Sequence, residues 1–249
     1  IATFFNKGIT EFILKNKTFS IQEILSKYEC NAGYMNVALR LLASQGWLKR
    51  EIIQDGEDVE FQLTDKGNIG LSHAPYYDTF NKFIPFLINI DKYLFDPNAK
   101  DIQDEFQNLQ ICLDTLNSNV PAPGSTEWDV SKHLEGLLVG PILVAFGMSD
   151  FFLESLENKS EINLESMGDK LPIMSSIFSL FIYLKWIVIK NNKNYFSEEG
   201  LFFIKRSTAY GVTVSYLPTF NQMPELLFGN PNVLWKRRPN GLETHVNRH

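Results

Sequence analysis

Residues 41–49 read Leu-Leu-Ala-Ser-Gln-Gly-Trp-Leu-Lys and residues 64–67 read Thr-Asp-Lys-Gly; residues 180–188 read Leu-Phe-Ile-Tyr-Leu-Lys-Trp-Ile-Val and residues 197–200 read Ser-Glu-Glu-Gly. Both copies describe an apolar helix that runs into a tryptophan, a β-branched run, a polar turn, a short apolar run, and a hydroxyl residue shortly before a glycine. A supersecondary unit written twice is stronger evidence than either copy alone. The order predicts two winged helices, which either read nucleic acid or serve as scaffold.

Composition and charge limit the classes of function. The chain has 249 residues, of which 44% are hydrophobic and 21% charged, and its net charge is −6. A chain of this length can bury one core or two smaller ones. Because no overall basic field attracts a phosphate backbone, we expect no nucleic acid among its partners.

The cysteines and the apolar stretches bear on the compartment. Cys30 and Cys112 follow neither a Cys-x-x-Cys spacing nor a secreted framework, and we expect no signal peptide. We therefore expect a cytoplasmic protein. The longest apolar stretch, 137–148, is too short to span a bilayer, so we expect no membrane segment.

The first copy occupies residues 1–70. Ser20 and Glu23 have the spacing of a capping box, which predicts a short helix to about Tyr28. A third helix begins after Asn31, and strands at 48–53 and 59–63 form the wing around an acidic turn. The three-to-four spacing of five residues predicts the buried face of the third helix. These residues are Tyr34, Val37, Ala38, Leu41 and Leu42.

A helical connector at 71–118 and a linker at 119–129 follow, and the Pro- and Gly-rich linker predicts a domain boundary. Within the connector, five apolar residues recur at intervals of four and three. They are Ile102, Phe106, Leu109, Leu113 and Leu116. This seam predicts either packing within the chain or a contact with a second subunit.

The second copy occupies residues 130–207. It predicts a long helix at 130–156 that is interrupted or kinked near Gly140-Pro141, and a short helix at 163–167. A third helix at 171–183 and a tighter hairpin at 187–197 complete it. The residues expected to be buried on that helix are Ile173, Ile177, Phe178 and Phe181. The predicted fold is mainly α with small β-hairpins, an α+β protein of tandem winged-helix units joined by a helical segment.

The two candidate recognition helices argue against DNA binding. Readers of the major groove place Arg, Lys, Asn or Gln toward base edges. Residues 31–45 carry one formal charge, on Arg40, and residues 171–183 carry none. We therefore expect these helices to be buried or docked on protein.

No complete active site is visible in the sequence. His133 and Glu135 form a His-x-Glu pair, but no cysteine pair follows with deaminase spacing, which favours a pair on a helix surface. His245 and His249 are four residues apart and could share a helical face toward a metal, but two ligands do not make a site. The sequence lacks the nucleophile-elbow, phosphate-loop and dinucleotide-binding motifs.

The C-terminal segment carries a resemblance. Residues 210–220 read Tyr-Gly-Val-Thr-Val-Ser-Tyr-Leu-Pro-Thr-Phe, 223–229 read Met-Pro-Glu-Leu-Leu-Phe-Gly and 243–248 read Glu-Thr-His-Val-Asn-Arg. This pattern resembles the approach to the cofactor-binding core in S-adenosylmethionine-dependent C-methyltransferases embedded in polyketide synthases. The resemblance is strongest to loading-module methyltransferases of cyanobacteria and myxobacteria, of the apratoxin type.

The resemblance implies an incomplete enzyme. In that family a helical region with a winged helix precedes a Rossmann-like core that binds S-adenosylmethionine, and some relatives hold iron or manganese. The chain lacks the acidic-Gly-x-Gly loop and the ribose-binding acid of such a core, which should begin just after His249. We therefore expect 208–249 to connect to that core, and we expect the chain to bind no cofactor or metal and to be non-catalytic alone.

By the same resemblance, the chain is the lid or adaptor of a methyltransferase. Its partners would be a carrier protein with a phosphopantetheine-linked acyl group of the malonyl type, and neighbouring polyketide synthase domains. Tyr216, Phe220, His245 and Arg248 are candidates to face the substrate chamber, where Arg248 could hold a malonyl carboxylate. The alternative for these residues is ordinary packing or a solvated surface.

Two rival functions remain open at this point. A non-catalytic adaptor of a loading module could dimerise through the seam. A winged-helix regulator would bind DNA.

Overall fold

The structure, a computed structural model, describes residues 1–53, 58–96, 103–118, 120–158, 161–163 and 171–232. These residues are mainly helical with two small antiparallel sheets, and the predicted fold class is confirmed. The chain divides into two compact units. Of the described residues, unit 1 comprises those in 1–81, 120–133 and 219–232, and unit 2 those in 82–118 and 134–218. The chain crosses between the units repeatedly. The domain ranges expected from the sequence stay a prediction.

The elements follow one another along the chain in this order. The helices are α1 (Ala2–Asn6), α2 (Ile9–Asn16), α3 (Ile21–Lys27), α4 (Ala32–Ser44), α5 (Asp65–Ser72), α6 (Ala74–Asn81), α7 (Ile84–Ile88), α8 (Ile90–Phe95), α9 (Gln103–Ser118), α10 (Thr126–Gly147), α11 (Leu153–Asn158), α12 (Leu171–Tyr183), α13 (Glu198–Ile204), α14 (Gly211–Ser215), α15 (Leu217–Phe220) and α16 (Met223–Phe228). The strands are β1 (Thr18–Ser20), β2 (Leu48–Ile53), β3 (Asp58–Leu63), β4 (Ile187–Lys190) and β5 (Lys193–Phe196). Two 3-10 turns, Asp150–Phe152 and Ser207–Tyr210, complete the set.

The first winged helix lies in unit 1. The predicted capping box is present, because Ser20 N–H donates to Glu23 Oε2 (2.6 Å) and Glu23 N–H donates to Ser20 Oγ (3.2 Å). The strands pair in the order β1-β3-β2, and the third strand, β1, was not predicted. The predicted turn of the wing lies outside the described residues, apart from its last residue, Asp58, which begins β3.

The predicted buried face of α4 is only partly correct. Leu42 is buried as predicted, but Val37 and Leu41 are 52% and 60% exposed, and the buried Met35 and Leu39 were not predicted. Tyr34 and Ala38 are half-buried. Because α4 is apolar around much of its circumference, two different stripes satisfy the three-to-four spacing. The contacts of α4 with β2 and α16 select the stripe that is buried.

Hydrogen bonds of Thr64 join the end of the first hairpin to the helix end at Gly46 and Trp47. Thr64 N–H donates to the Trp47 carbonyl (3.1 Å), and Thr64 Oγ1 donates to the Gly46 carbonyl (2.7 Å). The same hydroxyl accepts from Gly67 N–H (2.9 Å), which caps the N-terminus of α5. The end of the wing is thereby joined to the tryptophan and to the next helix.

The second copy repeats these bonds in unit 2. Ser197 N–H donates to the Trp186 carbonyl (2.9 Å), and Ser197 Oγ donates to the Lys185 carbonyl (2.7 Å). Its hydroxyl accepts from Gly200 N–H (3.0 Å) and caps α13. The sequence repeat is therefore a repeated junction between helix, wing and following helix.

Gly67 and Gly200, the glycines that end the two repeats, lie where no side chain would fit. A Cβ on Gly67 would overlap the Trp47 carbonyl oxygen, and a Cβ on Gly200 would overlap the Trp186 carbonyl oxygen. Three residues later the copies differ. Gly70 lies directly against the Trp47 indole, where a Cβ would also overlap. In the second copy, Phe203 stacks on Trp186 with ring centroids 4.4 Å apart.

The core of unit 2 forms around α12. The four residues predicted to be buried on this helix are buried, and that prediction is confirmed. Helix α9 packs on α12, and Ser176 Oγ donates to Gln110 Oε1 (3.3 Å). In the seam, Leu109, Leu113 and Leu116 are buried within the chain. The side chains of Ile102 and Phe106 lie outside the described residues.

Helix α10 differs from the predicted long helix. It begins earlier, at Thr126, runs without interruption through Pro141, and ends at Gly147. Pro141 removes one helical hydrogen bond, but residues 141–146 are all buried, and their packing stabilises the helix. A Cβ on Gly147 would overlap Ser207 Oγ, so the helix ends at a close approach. Of the predicted helix at 163–167, only residue 163 is described, and it is not helical.

Among the described residues, one helix passes the length and composition test for crossing a membrane. It is α10, and 67% of its apolar window is buried inside the protein. The core helix of a water-exposed protein passes the same test, so this finding is weak evidence for a membrane segment.

Candidate functional site

The structure describes two of the four predicted chamber residues. Tyr216 follows α14 in unit 2 and is half-buried, whereas Phe220 ends α15 in unit 1 and is 49% exposed. His245 and Arg248 lie outside the described residues. A chamber formed by all four therefore stays a prediction.

Unit 2 contains a cavity of about 430 Å³, whose lining includes Ser215, the residue before Tyr216. One wall is α14, which lies inside the segment 210–220 singled out by the sequence. Helix α10 forms the second wall and the junction of α7 with α8 the third. Its lining includes Leu87, Ile90, Asp91, Pro141, Val144 and Val214. The α7, α8 and α10 residues were not predicted, because they come from sequence segments without a motif.

Two glycines on α10 allow the segment that contains α14 to pack closely against this helix. A Cβ on Gly140 would lie 3.7 Å from Val214 Cγ2, an ordinary contact distance. At the end of the helix, Gly147 leaves room for the buried Ser207. The 3-10 turn Ser207–Tyr210 leads directly into α14, so these approaches position the α14 wall against α10.

Most of the side chains that line the cavity are aliphatic, and its surface also includes polar atoms. Asp91 is the one charged side chain among the described residues that line it, and it lies at the exposed edge. The Ser215 hydroxyl also lines the cavity, but it donates to the Val212 carbonyl (2.6 Å). Such a lining suits an apolar ligand with hydrogen-bond donors and opposes a buried anion.

A polar cluster in unit 1 surrounds Trp47. Tyr77 Oη and His133 Nδ1 lie 3.0 Å apart, and the His133 ring lies 6.1 Å from the Trp47 ring. Asp129, one turn before His133, pairs with Lys66 (2.7 Å). Loss of water around the ring lowers the pKa of His133, and burial raises the pKa of Tyr77. Both side chains are therefore neutral near pH 7. They pack against the Trp47 indole and help to hold it in place.

The His-x-Glu pair is divided by the fold. His133 belongs to unit 1 and contacts Tyr77, whereas Glu135 is buried in unit 2 and accepts from Tyr183 Oη (3.1 Å). The two side chains therefore make their contacts in different units, and they do not form the surface pair expected from the sequence. Tyr77 was missed because it lies 56 residues from His133 and no local pattern connects them.

The described residues do not fit S-adenosylmethionine or a metal ion. Both sheets in these ranges are antiparallel, so no parallel strand leads through a glycine loop into a helix there. Within the same part of the chain, no group of three or more His, Cys, Asp and Glu could hold a metal.

The third helices, which would enter the groove of DNA, are poor in cations, whereas the wings carry exposed Lys49, Arg50, Lys185 and Lys190. The exposed residues of α12 carry no charge; they are Pro172, Ser175, Ser179 and Ile182. On α4, Val37 and Leu41 are exposed beside the single cation, Arg40. In the second wing, Lys193 is paired with Glu161 (2.6 Å).

We expect no retention of duplex DNA by this protein in electrophoretic mobility shifts at about 0.15 M salt, because phosphate binding requires several cations on one surface. The measurement should be repeated at lower salt. Affinity that falls steeply with salt concentration, and that Arg40→Ala abolishes, would contradict this expectation.

Two family models match the chain. Residues 1–50 match the AprA N-terminal domain, and residues 135–230 match the AprA winged helix domain. Over these two ranges the chain is similar to AprA proteins. Its AprA N-terminal match covers α1 to α4, and its AprA winged helix match contains α12, the hairpin β4-β5 and the α14 wall of the cavity. These AprA domains fit a region associated with a polyketide synthase. No curated protein matches the chain.

Proposed function

We propose that this chain is the lid or adaptor region of an S-adenosylmethionine-dependent C-methyltransferase of a polyketide synthase. The methyl acceptor would be an acyl group carried on the phosphopantetheine arm of a carrier protein. The observation that carries the proposal is the pair of AprA domain matches, which cover the first four helices and most of the second winged helix. The methyl donor, when bound to its core, supplies the transferred carbon.

The architecture supports a scaffold rather than a reader of nucleic acid. Helix α12 buries its apolar face in unit 2 and exposes an uncharged one. Trp47 and Trp186 each join a helix to its own hairpin through the bonds of Thr64 and Ser197. Rigid hairpins of this kind can hold a cover over a reaction chamber.

Water exclusion is the contribution that this chain's own residues can make. Methyl transfer to carbon requires a carbanion-like nucleophile, and water protonates such a nucleophile. An apolar cover slows that side reaction. The half-buried Tyr216 and the apolar wall of α14 are suited to this role.

The full protein that contains this chain provides the test. Malonyl-carrier protein and S-adenosylmethionine are incubated with it in D₂O, and intact-protein mass spectrometry separates methylated product from product that has only gained deuterium. We expect Tyr216→Ala to raise the deuterated share about tenfold relative to methylation. The matched control is Tyr210→Ala, because Tyr210 is more exposed and lies before α14.

Failure to methylate any acyl-carrier substrate would rule out the methyltransferase assignment. Methylation with an equal product ratio in the wild type and in both tyrosine variants would rule out the cover role of Tyr216.

A further inference from the structure

We propose that the cavity beside α14 binds the neutral pantetheine arm of the carrier-linked substrate, and that a free carboxylate is excluded from it. The inference rests on the proposed function and adds a subsite to it. It also assigns the malonyl carboxylate to a different place from the arm.

The size and lining of the cavity suit a narrow, partly apolar chain. A volume of about 430 Å³ lies within the range of small-ligand sites. Pantetheine carries a geminal dimethyl group and two methylene segments, and Leu87, Val144 and Val214 offer aliphatic surface to them. Burial of such aliphatic groups against aliphatic side chains is favourable.

The single charge of the lining matches the polar groups of the arm. Pantetheine presents two amide N–H donors, and the Asp91 carboxylate at the cavity edge can accept from one of them. A malonyl carboxylate in the same space would meet Asp91 with no cation among the described lining residues. The electrostatics therefore favour the arm and oppose the acid.

The lining also distinguishes the arm from the methyl donor. Among the described residues that line the cavity there is no aromatic ring, so the adenine of S-adenosylmethionine would have nothing to stack on. The donor also carries a carboxylate of its own, which Asp91 would repel. The cavity is thus the place for the arm and not for the cofactor.

A pair of valine substitutions on α14 tests occupancy of the cavity. Val214 lines it, whereas Val212 lies on the same helix and is 51% exposed. Binding of S-acetyl-pantetheine to the full protein is measured by isothermal titration calorimetry and ligand-observed NMR. We expect Val214→Trp to weaken binding at least about tenfold and Val212→Trp to leave it within about twofold.

Absence of binding to the wild-type protein, or equal loss in both variants, would overturn the proposal. Circular dichroism and the unfolding midpoint of each variant are recorded first. If Val214→Trp does not fold, Val214→Leu and Ala145→Leu narrow the same cavity with less added volume, and the same comparison applies.

The charge of Asp91 is tested by comparing two probes. S-acetyl-pantetheine and S-malonyl-pantetheine differ by one carboxylate. We expect the wild type to prefer the acetyl probe, and Asp91→Asn to reduce that preference by about tenfold, because the repulsion of the acid is removed. An unchanged preference in Asp91→Asn would overturn the electrostatic part of the proposal.

These outcomes remain separate from those of the proposed function. Probe binding that depends on Val214, in a protein that transfers no methyl group, would leave the cavity assignment standing and remove the methyltransferase. If methyl transfer occurs and its KM is the same in Val214→Trp and in the wild type, the methyltransferase proposal stands and the cavity assignment is wrong.

Discussion

Trp47→Ala is expected to lower the free energy of unfolding of unit 1 by about 3–5 kcal/mol, the usual loss for a large buried aromatic side chain. The indole is 1% exposed and lies against Gly70, Tyr77 and His133. Its removal leaves a cavity that α5 cannot close, because the backbone of Gly67 already touches residue 47. Urea unfolding followed by circular dichroism measures the change.

Trp128→Ala is the matched control, because it removes the same residue type from the same unit. Trp128 is half-buried, and Lys132 lies over its ring at 4.2 Å. We expect less than half the loss seen for Trp47→Ala. Equal losses would show that Trp47 has no special place in the junction.

Gly67→Ala and Gly200→Ala are each expected to destabilise their unit by about 2–3 kcal/mol. In both variants the new methyl group would overlap a tryptophan carbonyl oxygen, which is backbone and already accepts from Thr64 or Ser197. Relief requires the helix to move away and the capping bond to lengthen. Thermal and urea unfolding of the two single variants and the double variant measure the effect.

The control for the glycine variants is Gly136→Ala within α10, where an added Cβ meets nothing within 4 Å. Alanine is the better helix former, so we expect a gain of up to about 1 kcal/mol. The change in the free energy of unfolding is thus expected to have opposite signs at Gly136 and at the two repeat glycines. Destabilisation of similar size at all three glycines would contradict the steric explanation.

Local chemistry explains why much of the fold could be predicted. The capping box at Ser20 depends on two residues three positions apart, and the structure contains it. The bounds of α12 were correct because its neighbours, a turn and a β-branched run, mark its end clearly. The repeated glycine was recognised as a pattern, although its cause, the tryptophan carbonyl, became visible only in three dimensions.

The errors and omissions have physical causes of their own. The predicted interruption of α10 at Pro141 is absent, because residues 141–146 are all buried and their packing stabilises the helix. Tyr77 and His133 meet across 56 residues, and the cavity gathers side chains from α7, α8, α10 and α14. Such contacts depend on how elements pack, and a single sequence does not record them.

The sequence by itself determined the two winged helices, their hairpins and the scarcity of charge on their third helices, since these depend on local spacing and composition. Tertiary structure alone decided which stripe of α4 is buried, how the chain divides into two units, and where the apolar cavity lies. The reason is that a helix with many apolar residues has more than one stripe with three-to-four spacing, and the sequence does not show which stripe is buried. Only the neighbouring β2 and α16, and for the cavity the close approach at Gly140 and Gly147, select among the possible packings.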